Sequence, residues 1–307
     1  MLRRLIPNPL LGALSLALLL SSTFIAFLTL LPAALIKLVT PSPVARAWLT
    51  RNGMDPAGNR VWWFVNRCIY LLFHGSRPPL VLEGELDPDK TWLLICNHQA
   101  WADIILLVDL LAWQVPFFRF FLKRELIWVP VIGFACWAFD MPFMKRYSKA
   151  AIAANPQLAR QDLEATRAAC LKYRRIPVTV VNFLEGTRFT ETKRIARDSP
   201  YRHLLRPKAA GLAFALEAMG DQFAGIIDVT LCYAPSRYGT FWSFLVGEQR
   251  QLRSYARVLP VPPELLGGDY AGDPEYRERF QAWVNELWQR KDDELERLKK
   301  SPPQAGS

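Results

Sequence analysis

Residues 91–107, which read T-W-L-L-I-C-N-H-Q-A-W-A-D-I-I-L-L, decide the expected fold. The apolar run Trp92–Cys96 has the length of a buried strand, and Ile104–Leu107 begins a run that suits a packed helix. His98 and Asp103 lie in the polar turn between the two runs. In one regular helix, residues five apart point about 140° away from each other, so these two side chains can meet only if the backbone turns. A strand-to-helix junction supplies that turn, although a structural histidine explains the pattern of this stretch equally well.

Working outward from this stretch, apolar strands alternate with helical patterns, which is typical of the α/β class. The prediction is a central mixed sheet flanked by helices, preceded by a membrane-embedded helix or helical hairpin. Strands are predicted at Leu80–Glu85, Pro177–Leu184, Gly225–Leu231, Phe241–Val246 and Tyr255–Val261. Further helices are predicted at Val61–Phe73, 157–174 and Lys208–Met219, together with a C-terminal helix whose apolar stripe is Phe280, Trp283, Leu287, Leu295 and Leu298. The stretch Phe117–Arg146 predicts a helix, a turn, a second helix and a short strand, because Pro130 and Gly133 interrupt it.

The segment Leu10–Val39 is almost wholly apolar and carries no charge until Lys37. It is longer than the core of a signal peptide and long enough for a span of roughly 20 residues. It predicts either one tilted span or two shorter helices that enter one face of the bilayer, since Pro32 interrupts it. More basic residues follow the segment than precede it, which favours a cytoplasmic body.

Three regions follow from these patterns. Residues 1–59 are predicted to be a membrane segment and a connector, because residues 41–59 are rich in Pro, Gly and Asn. Residues 60–300 would form the main domain, and residues 301–307 a disordered tail. The chain of 307 residues is long enough for this arrangement.

Charge and cysteine content narrow the function. Lys and Arg outnumber Asp and Glu by 38 to 28, which gives a net charge of +10 and favours an anionic partner. The five cysteines are odd in number, lack C-x-x-C spacing and lie in apolar surroundings, so the sequence indicates neither a disulfide framework nor a metal site. The glycine fingerprints of nucleotide-binding folds, the G-x-S-x-G elbow and H-E-x-x-H are missing from the sequence.

A second polar turn follows the predicted strand Pro177–Leu184 and reads Glu185-Gly186-Thr187-Arg188. Open α/β sheets bind ligands at the carboxyl ends of their strands, so this turn is a candidate binding site. A surface salt bridge would be the alternative explanation for its charges.

Together, the turns N-H-Q-A-W-A-D at 97–103 and F-L-E-G-T-R at 183–188 closely resemble the glycerolipid acyltransferase family of lysophosphatidate acyltransferases. The family's first motif is N-H-x-x-x-x-D and its third is F-P-E-G-T-R; Leu184 stands where many members have proline. Arg146 matches the end of the second motif, Lys123–Leu126 resembles the basic stretch ahead of it, and Ile226–Val229 loosely matches the fourth. The resemblance covers roughly residues 80–235.

The resemblance implies an O-acyltransferase that moves a fatty acyl group from a thioester to a lysophospholipid hydroxyl, most specifically that of 1-acyl-sn-glycerol 3-phosphate. His98 would act as the general base and Asp103 would hold its tautomer, since neutral imidazole has a pKa near 6.5 and accepts a proton at neutral pH. No cofactor is implied: acyl-CoA or acyl carrier protein would serve as the acyl-donor substrate. Substrate binding would involve Lys123, Arg146, Glu185, Gly186, Thr187 and Arg188. The cationic side chains would bind the phosphate, and Glu185 would orient Arg188 or contact the glycerol.

Two alternatives remain at this point. The chain could be a non-catalytic membrane protein that binds anionic lipid through its basic surface, or an acyltransferase for another acceptor such as lysocardiolipin. Nucleic acid is a disfavoured partner, because the basic residues are dispersed and an apolar N-terminus does not serve that role. The expected location is the bacterial inner membrane, with the catalytic domain facing the cytoplasm.

Overall fold

The computed structural model describes residues 6–144, 164, 168, 170–235, 239–249 and 251–301. Several predicted features therefore lie outside the described residues. These are Lys145 and Arg146, most of the helix predicted at 157–174, and residues 302–307 of the predicted tail. The end of that helix is described, and residues 170–173 are helical.

The described residues form a six-stranded mixed sheet, whose strands are β1 (Val81–Glu83), β2 (Thr91–Cys96), β3 (Phe118–Phe120), β6 (Thr179–Asn182), β7 (Phe223–Cys232) and β8 (Arg253–Leu259). Their order in the sheet is β1-β8-β7-β2-β6-β3. Strand β8 is antiparallel to β7, whereas the neighbours β7, β2, β6 and β3 are all parallel. A separate parallel pair joins β4 (Leu122–Lys123) to β5 (Phe143–Met144). The predicted α/β class with a mixed sheet is confirmed, and the carboxyl ends of four parallel strands share one edge.

Helices cover both faces of this sheet. They are α1 (Asn8–Val39), α2 (Pro43–Leu49), α3 (Trp63–His74), α4 (Ala102–Leu111), α5 (Ile132–Ala138), α6 (Glu191–Ala196), α7 (Ala210–Met219), α8 (Thr240–Leu245) and α9 (Pro274–Lys300). The side chains of β2 alternate between the faces: Leu93 and Ile95 pack with α7 and α9, while Leu94 and Cys96 pack with α3, α4, α8 and part of α1. Burial on both faces explains why β2 is apolar along its whole length.

The N-terminal helix α1 runs without a break through Pro32, so the structure has one continuous helix here rather than two shorter ones. Its 32 residues extend about 48 Å at 1.5 Å per residue. One stripe packs on the body: Leu11, Ser15, Leu19, Ser22, Ala26, Leu30, Ala34 and Lys37. The opposite side exposes large apolar residues, among them Leu10, Leu20, Phe24, Leu28 and Leu35. Among the described helices, α1 is the one long and apolar enough to cross a membrane, with a mean hydropathy of 2.2 in a window that is 28% buried.

The segment 41–59, predicted as a connector, is mostly helical. It contains α2 and two π-helical turns, Thr50–Met54 and Ala57–Trp62. Its glycines serve close packing rather than chain reversal: a Cβ on Gly53 would lie 2.8 Å from the Ala33 Cβ, and one on Gly58 would lie 2.5 Å from the ring of Phe117.

Two predictions of secondary structure are wrong. Residues 118–120 form strand β3 instead of a helix, with the buried Arg119 paired to Asp55 at 2.6 Å. Residues 240–245 form helix α8 instead of a strand, and this helix packs against α1, where a Cβ on Gly12 would lie 2.7 Å from the ring of Trp242. Short apolar runs do not distinguish a strand from a buried helix by periodicity alone.

Candidate active site

The catalytic candidate His98 lies in the turn between the end of β2 and the start of α4. The residue before it, Asn97, is fully buried and exchanges two hydrogen bonds with the backbone of Leu231 in β7. The Asn97 Nδ2 donates to the Leu231 oxygen and the Leu231 N–H donates to the Asn97 Oδ1, each at 2.9 Å. Asn97 therefore continues the β2–β7 pairing beyond the strand and fixes where the candidate catalytic turn, residues 97–103, begins.

His98 and Asp103 meet as the sequence predicts. The His98 Nδ1 lies 2.8 Å from the Asp103 Oδ2, and the same oxygen accepts the backbone N–H groups of Gln99 at 2.7 Å and Ala100 at 3.0 Å. The Asp103 side chain is fully buried, whereas the His98 side chain is 17% exposed. Because a carboxylate only accepts, Nδ1 carries the proton and Nε2 presents its lone pair. No described residue bonds Nε2, so this atom is available to a substrate.

The second oxygen of Asp103 is held by a residue that the sequence did not suggest. The Tyr233 hydroxyl donates to the Asp103 Oδ1 at 2.5 Å. Burial, reinforced by the nearby Asp103 carboxylate, raises the pKa of Tyr233 well above its usual value, so the hydroxyl stays a donor. Tyr233 directly follows β7, and only the adjacency of β7 and β2 in the sheet brings it to this site.

The plane of the His98 ring is fixed by an aromatic neighbour. The ring of Phe183 stacks on it with centroids 4.2 Å apart and an angle of 22° between the planes. Phe120 stacks in turn on Phe183, with centroids 6.3 Å apart. These two rings come from the ends of β6 and β3, so three neighbouring parallel strands define the orientation of one imidazole.

Glu185 occupies a different place from the one expected. Its side chain is fully buried; Oε1 accepts the backbone N–H of His98 at 2.8 Å, and Oε2 accepts that of Leu205 at 3.0 Å. Both oxygens therefore bind backbone groups of the protein, where the sequence suggested a contact with Arg188 or the glycerol, and Glu185 clamps the turn at residues 97–103. Burial raises the pKa of Glu185 to about 7, against the lowering effect of these two N–H groups.

The remaining motif residues lie at the surface beside this clamp. The Arg188 guanidinium lies over the ring of Trp101, 5.2 Å from its centroid, and both side chains are exposed. Lys193 donates to the Thr187 Oγ1 at 3.1 Å and to the Arg188 oxygen at 2.9 Å. Lys193 lies on the short helix α6, which thus carries a second cation to the motif.

The Gly186 amide is used in a hydrogen bond within the turn, and its backbone conformation shapes that turn. Its N–H donates to the Phe183 oxygen at 2.9 Å, and its φ of +65° lies in the left-handed region that favours glycine. The Phe189 N–H then donates to the His98 oxygen at 2.7 Å. The turn after β6 therefore bonds both the N–H and the C=O of His98 in the turn after β2.

The structure brings most of the predicted site residues to one edge of the sheet. His98, Asp103, Glu185, Gly186, Thr187 and Arg188 are joined there through the contacts described above. Lys123 is exposed at the end of β4, three residues after the last residue of β3, which ends at the same edge of the sheet. No described contact joins Lys123 to His98. Arg146 lies outside the described residues.

Comparisons with known proteins agree with this geometry. The protein-family model described as Acyltransferase matches residues 81–234, which include both polar turns and Tyr233. The mouse protein 1-acyl-sn-glycerol-3-phosphate acyltransferase delta is 27% identical over 180 residues, covering 55% of this chain and 42% of the mouse protein. An uncharacterized acyltransferase of Saccharomyces cerevisiae is 27% identical over 241 residues, covering 66% of this chain and 58% of its own. The chain thus spans less than two thirds of the length of these relatives.

A solved structure shares the fold. The 1-acyl-sn-glycerophosphate acyltransferase of Thermotoga maritima aligns with a TM-score of 0.50 and 16% identity, over 96% of this chain and 100% of that one. At this identity, the likeness concerns the arrangement of strands and helices alone.

Proposed function

The chain belongs to the Acyltransferase family, and from this premise we propose that it transfers a fatty acyl group from a thioester to the free hydroxyl of a lysophospholipid. The acceptor that fits best is 1-acyl-sn-glycerol 3-phosphate, which would give phosphatidate. The observation that carries the proposal is the partly exposed His98 ring, with its Nδ1 bonded to the buried Asp103 at 2.8 Å.

Proton transfer explains why this pair suits the reaction. The acceptor hydroxyl loses its proton to the His98 Nε2 while its oxygen attacks the thioester carbonyl. Asp103 stabilises the imidazolium that forms and keeps the tautomer with the proton on Nδ1. The carbon–sulfur bond then breaks, and the imidazolium returns a proton to the departing thiolate. The substrate alcohol is the nucleophile, so no covalent acyl-enzyme is required.

The exposed cationic side chains beside His98 would bind the phosphate of the acceptor. Arg188 can offer two parallel N–H groups to a phosphate, and its contact with Trp101 orients the guanidinium plane. Lys193 adds a second charge next to Arg188. Lys123 and Arg146 would supply further charge, as the resemblance implies. Thr187 would contribute through the hydrogen bond that holds Lys193.

Attachment to a membrane belongs to the same proposal. The exposed apolar side of α1 and the exposed Trp48 and Phe64 supply surface that lipid would cover. Because α1 packs lengthwise on the body, the catalytic domain would lie against the bilayer, where its lysophospholipid acceptor resides. The proposed location is the cytoplasmic face of a bacterial inner membrane, because basic residues follow α1 and such residues favour the cytoplasmic side.

The proposal is tested with purified protein, a labelled acyl donor and a panel of lysophospholipids. Acyl-CoA and acyl carrier protein are supplied as separate donors, and lysophosphatidate, lysocardiolipin and uncharged acceptors as separate acceptors. Wild-type protein should form labelled diacyl product, and His98→Ala should not, while both still sediment with vesicles. Lipid binding by both proteins without any acyl transfer would instead support a non-catalytic lipid-binding function.

A further inference from the structure

The C-terminal helix α9 lies beyond residues 81–234, yet it holds a loop that leads to the catalytic turn. The Trp288 Nε1 donates to the Leu205 oxygen at 2.9 Å. Asp292 accepts two backbone N–H groups, from Arg202 at 2.9 Å and from His203 at 2.8 Å. Trp288 and Asp292 are both buried. The loop 202–205 is thus fixed to α9 through its own backbone.

Leu205 connects this loop to the site. While its oxygen accepts the Trp288 Nε1, its N–H donates to the Glu185 Oε2 at 3.0 Å. The other oxygen of Glu185 accepts the His98 N–H at 2.8 Å. Three consecutive hydrogen bonds therefore lead from the ring of Trp288 to the backbone of His98.

The residues that form this path up to His98 are buried. Leu205, Glu185 and Trp288 are each fully buried. A buried donor or acceptor that loses its partner cannot form a hydrogen bond to solvent. Either its neighbours move to restore a hydrogen bond, or the loss raises the free energy of the folded state. A change at Trp288 should therefore be transmitted to the catalytic turn.

The position of α9 is itself fixed to the sheet. The Lys291 Nζ lies 2.5 Å from the Asp228 Oδ1 and donates to the Val229 oxygen, also at 2.5 Å. Both partners belong to β7, which pairs with β2, the strand that ends just before His98. The helix and the catalytic turn are thus held against the same pair of strands.

We propose that Trp288 and Asp292 are positioning residues of the acyl-transfer site, which set the place of His98 through Leu205 and Glu185. The proposal rests on the function proposed above. Neither side chain touches substrate, so their loss should lower kcat and leave the KM for donor and acceptor unchanged.

The test compares Trp288→Phe with Tyr276→Phe on the same helix. Trp288→Phe removes one N–H donor and retains an aromatic ring. In the control, Tyr276→Phe removes the hydroxyl that donates to the Leu265 oxygen at 2.7 Å, a contact of similar burial that does not lead to His98. Trp288→Phe should lower kcat about fivefold with KM within about twofold, since a buried hydrogen bond of roughly 1 kcal/mol corresponds to about that factor in rate. Tyr276→Phe should keep kcat within about twofold.

A second measurement does not depend on turnover. Amide hydrogen exchange, followed by mass spectrometry, should be faster at residues 97–100 and 183–188 in Trp288→Phe than in wild type or Tyr276→Phe. Asp292→Asn should give the same pattern, and it replaces Trp288→Phe if that variant does not fold.

The outcomes separate the two proposals. Unchanged kcat and unchanged exchange at residues 97–100 would overturn the positioning role and leave Trp288 as a packing residue. Equal losses of kcat in Trp288→Phe and Tyr276→Phe would also overturn it, because general destabilisation would then explain both. If wild-type protein transfers no acyl group, the proposed function fails, and the exchange comparison still decides the positioning role.

Discussion

The Glu185 carboxylate accepts the backbone N–H of His98 at 2.8 Å, although the two residues lie 87 positions apart. One polar turn therefore holds the other, and the geometry of the His98–Asp103 pair depends on a residue that touches neither the His98 ring nor Asp103. Because the Glu185 carboxylate is buried, its ionisation should change the free energy of unfolding of the protein.

Glu185 should make the stability of the protein depend on pH. Burial raises its pKa in the folded state to about 7, above the unfolded value near 4.3. The folded state then binds more protons than the unfolded state between these values, so the free energy of unfolding should fall as pH rises from about 4.5 to 7. The contribution is fully present below the unfolded pKa and should amount to a few kcal/mol.

Chemical denaturation of wild type and Glu185→Gln across this pH range measures the effect. The difference between the two proteins isolates Glu185, because the other titrating groups are common to both. A difference in unfolding free energy that stays constant from pH 4.5 to 7 would contradict a raised pKa.

Replacing Asp103 by Asn should lower kcat while leaving the fold in place. The variant removes the negative charge that stabilises the imidazolium and the acceptor that holds the Nδ1 tautomer, so a loss of about 10²- to 10⁴-fold is expected. Asp109→Asn is the control, because Asp109 lies on the same helix and is also buried, but pairs with Arg67 away from His98. A kcat for Asp103→Asn equal to that of Asp109→Asn would exclude a catalytic role for the carboxylate.

Arg188 should act on the phosphate of the acceptor. Arg188→Ala removes the guanidinium held over Trp101 and should raise the KM for lysophosphatidate about 10- to 100-fold, as expected for a charge-assisted contact of roughly 1.5–3 kcal/mol. Arg188→Lys should restore only part of this loss, since an ammonium cannot form the planar fork. The same variants assayed with monoacylglycerol, which lacks the phosphate, provide the comparison: an equal rise in KM for both acceptors would argue against phosphate binding.

The sequence predicted those parts of the site that follow directly from one strand. His98 and Asp103 belong to a single turn, and the polar turn at Glu185 follows an apolar strand, so both were predicted near the carboxyl edge of a sheet. Tyr233 and Phe183 were not assigned roles, because their contacts arise from the strand order β7-β2-β6, which the sequence alone did not give. The burial of Glu185 was missed for the same reason: the backbone groups that it accepts come from two other segments.

Elements were predicted well where periodicity was long and poorly where apolar runs were short. The 27-residue helix α9 buries Phe280, Leu287, Leu295 and Leu298 of the predicted stripe. The six-residue α8 was missed, since tertiary packing on α1 rather than local pattern makes it helical. The seven-residue α2 has no buried residue and begins at a local signal that was overlooked, the N-cap Ser42 followed by Pro43. Cys96, Cys170 and Cys232 are buried, which fits their apolar surroundings in the sequence, whereas Cys68 is exposed in spite of them.

An ion pair between the buried Lys37 and the partly exposed Asp140 fixes the carboxyl end of α1 to the body, and breaking it from one side should destabilise the protein. The Lys37 Nζ lies 2.5 Å from the Asp140 Oδ2 and also donates to the Ala138 oxygen at 2.7 Å and the Thr50 Oγ1 at 2.9 Å. Asp140→Ala leaves a buried ammonium without its counter-charge, which should destabilise the protein by about 3–5 kcal/mol. The double variant Lys37→Met/Asp140→Ala removes both charges, so it should be more stable than Asp140→Ala alone. Denaturation of the three proteins in the same lipid nanodiscs measures this order, and a double variant that is less stable than Asp140→Ala would show that the Lys37 charge does not need Asp140.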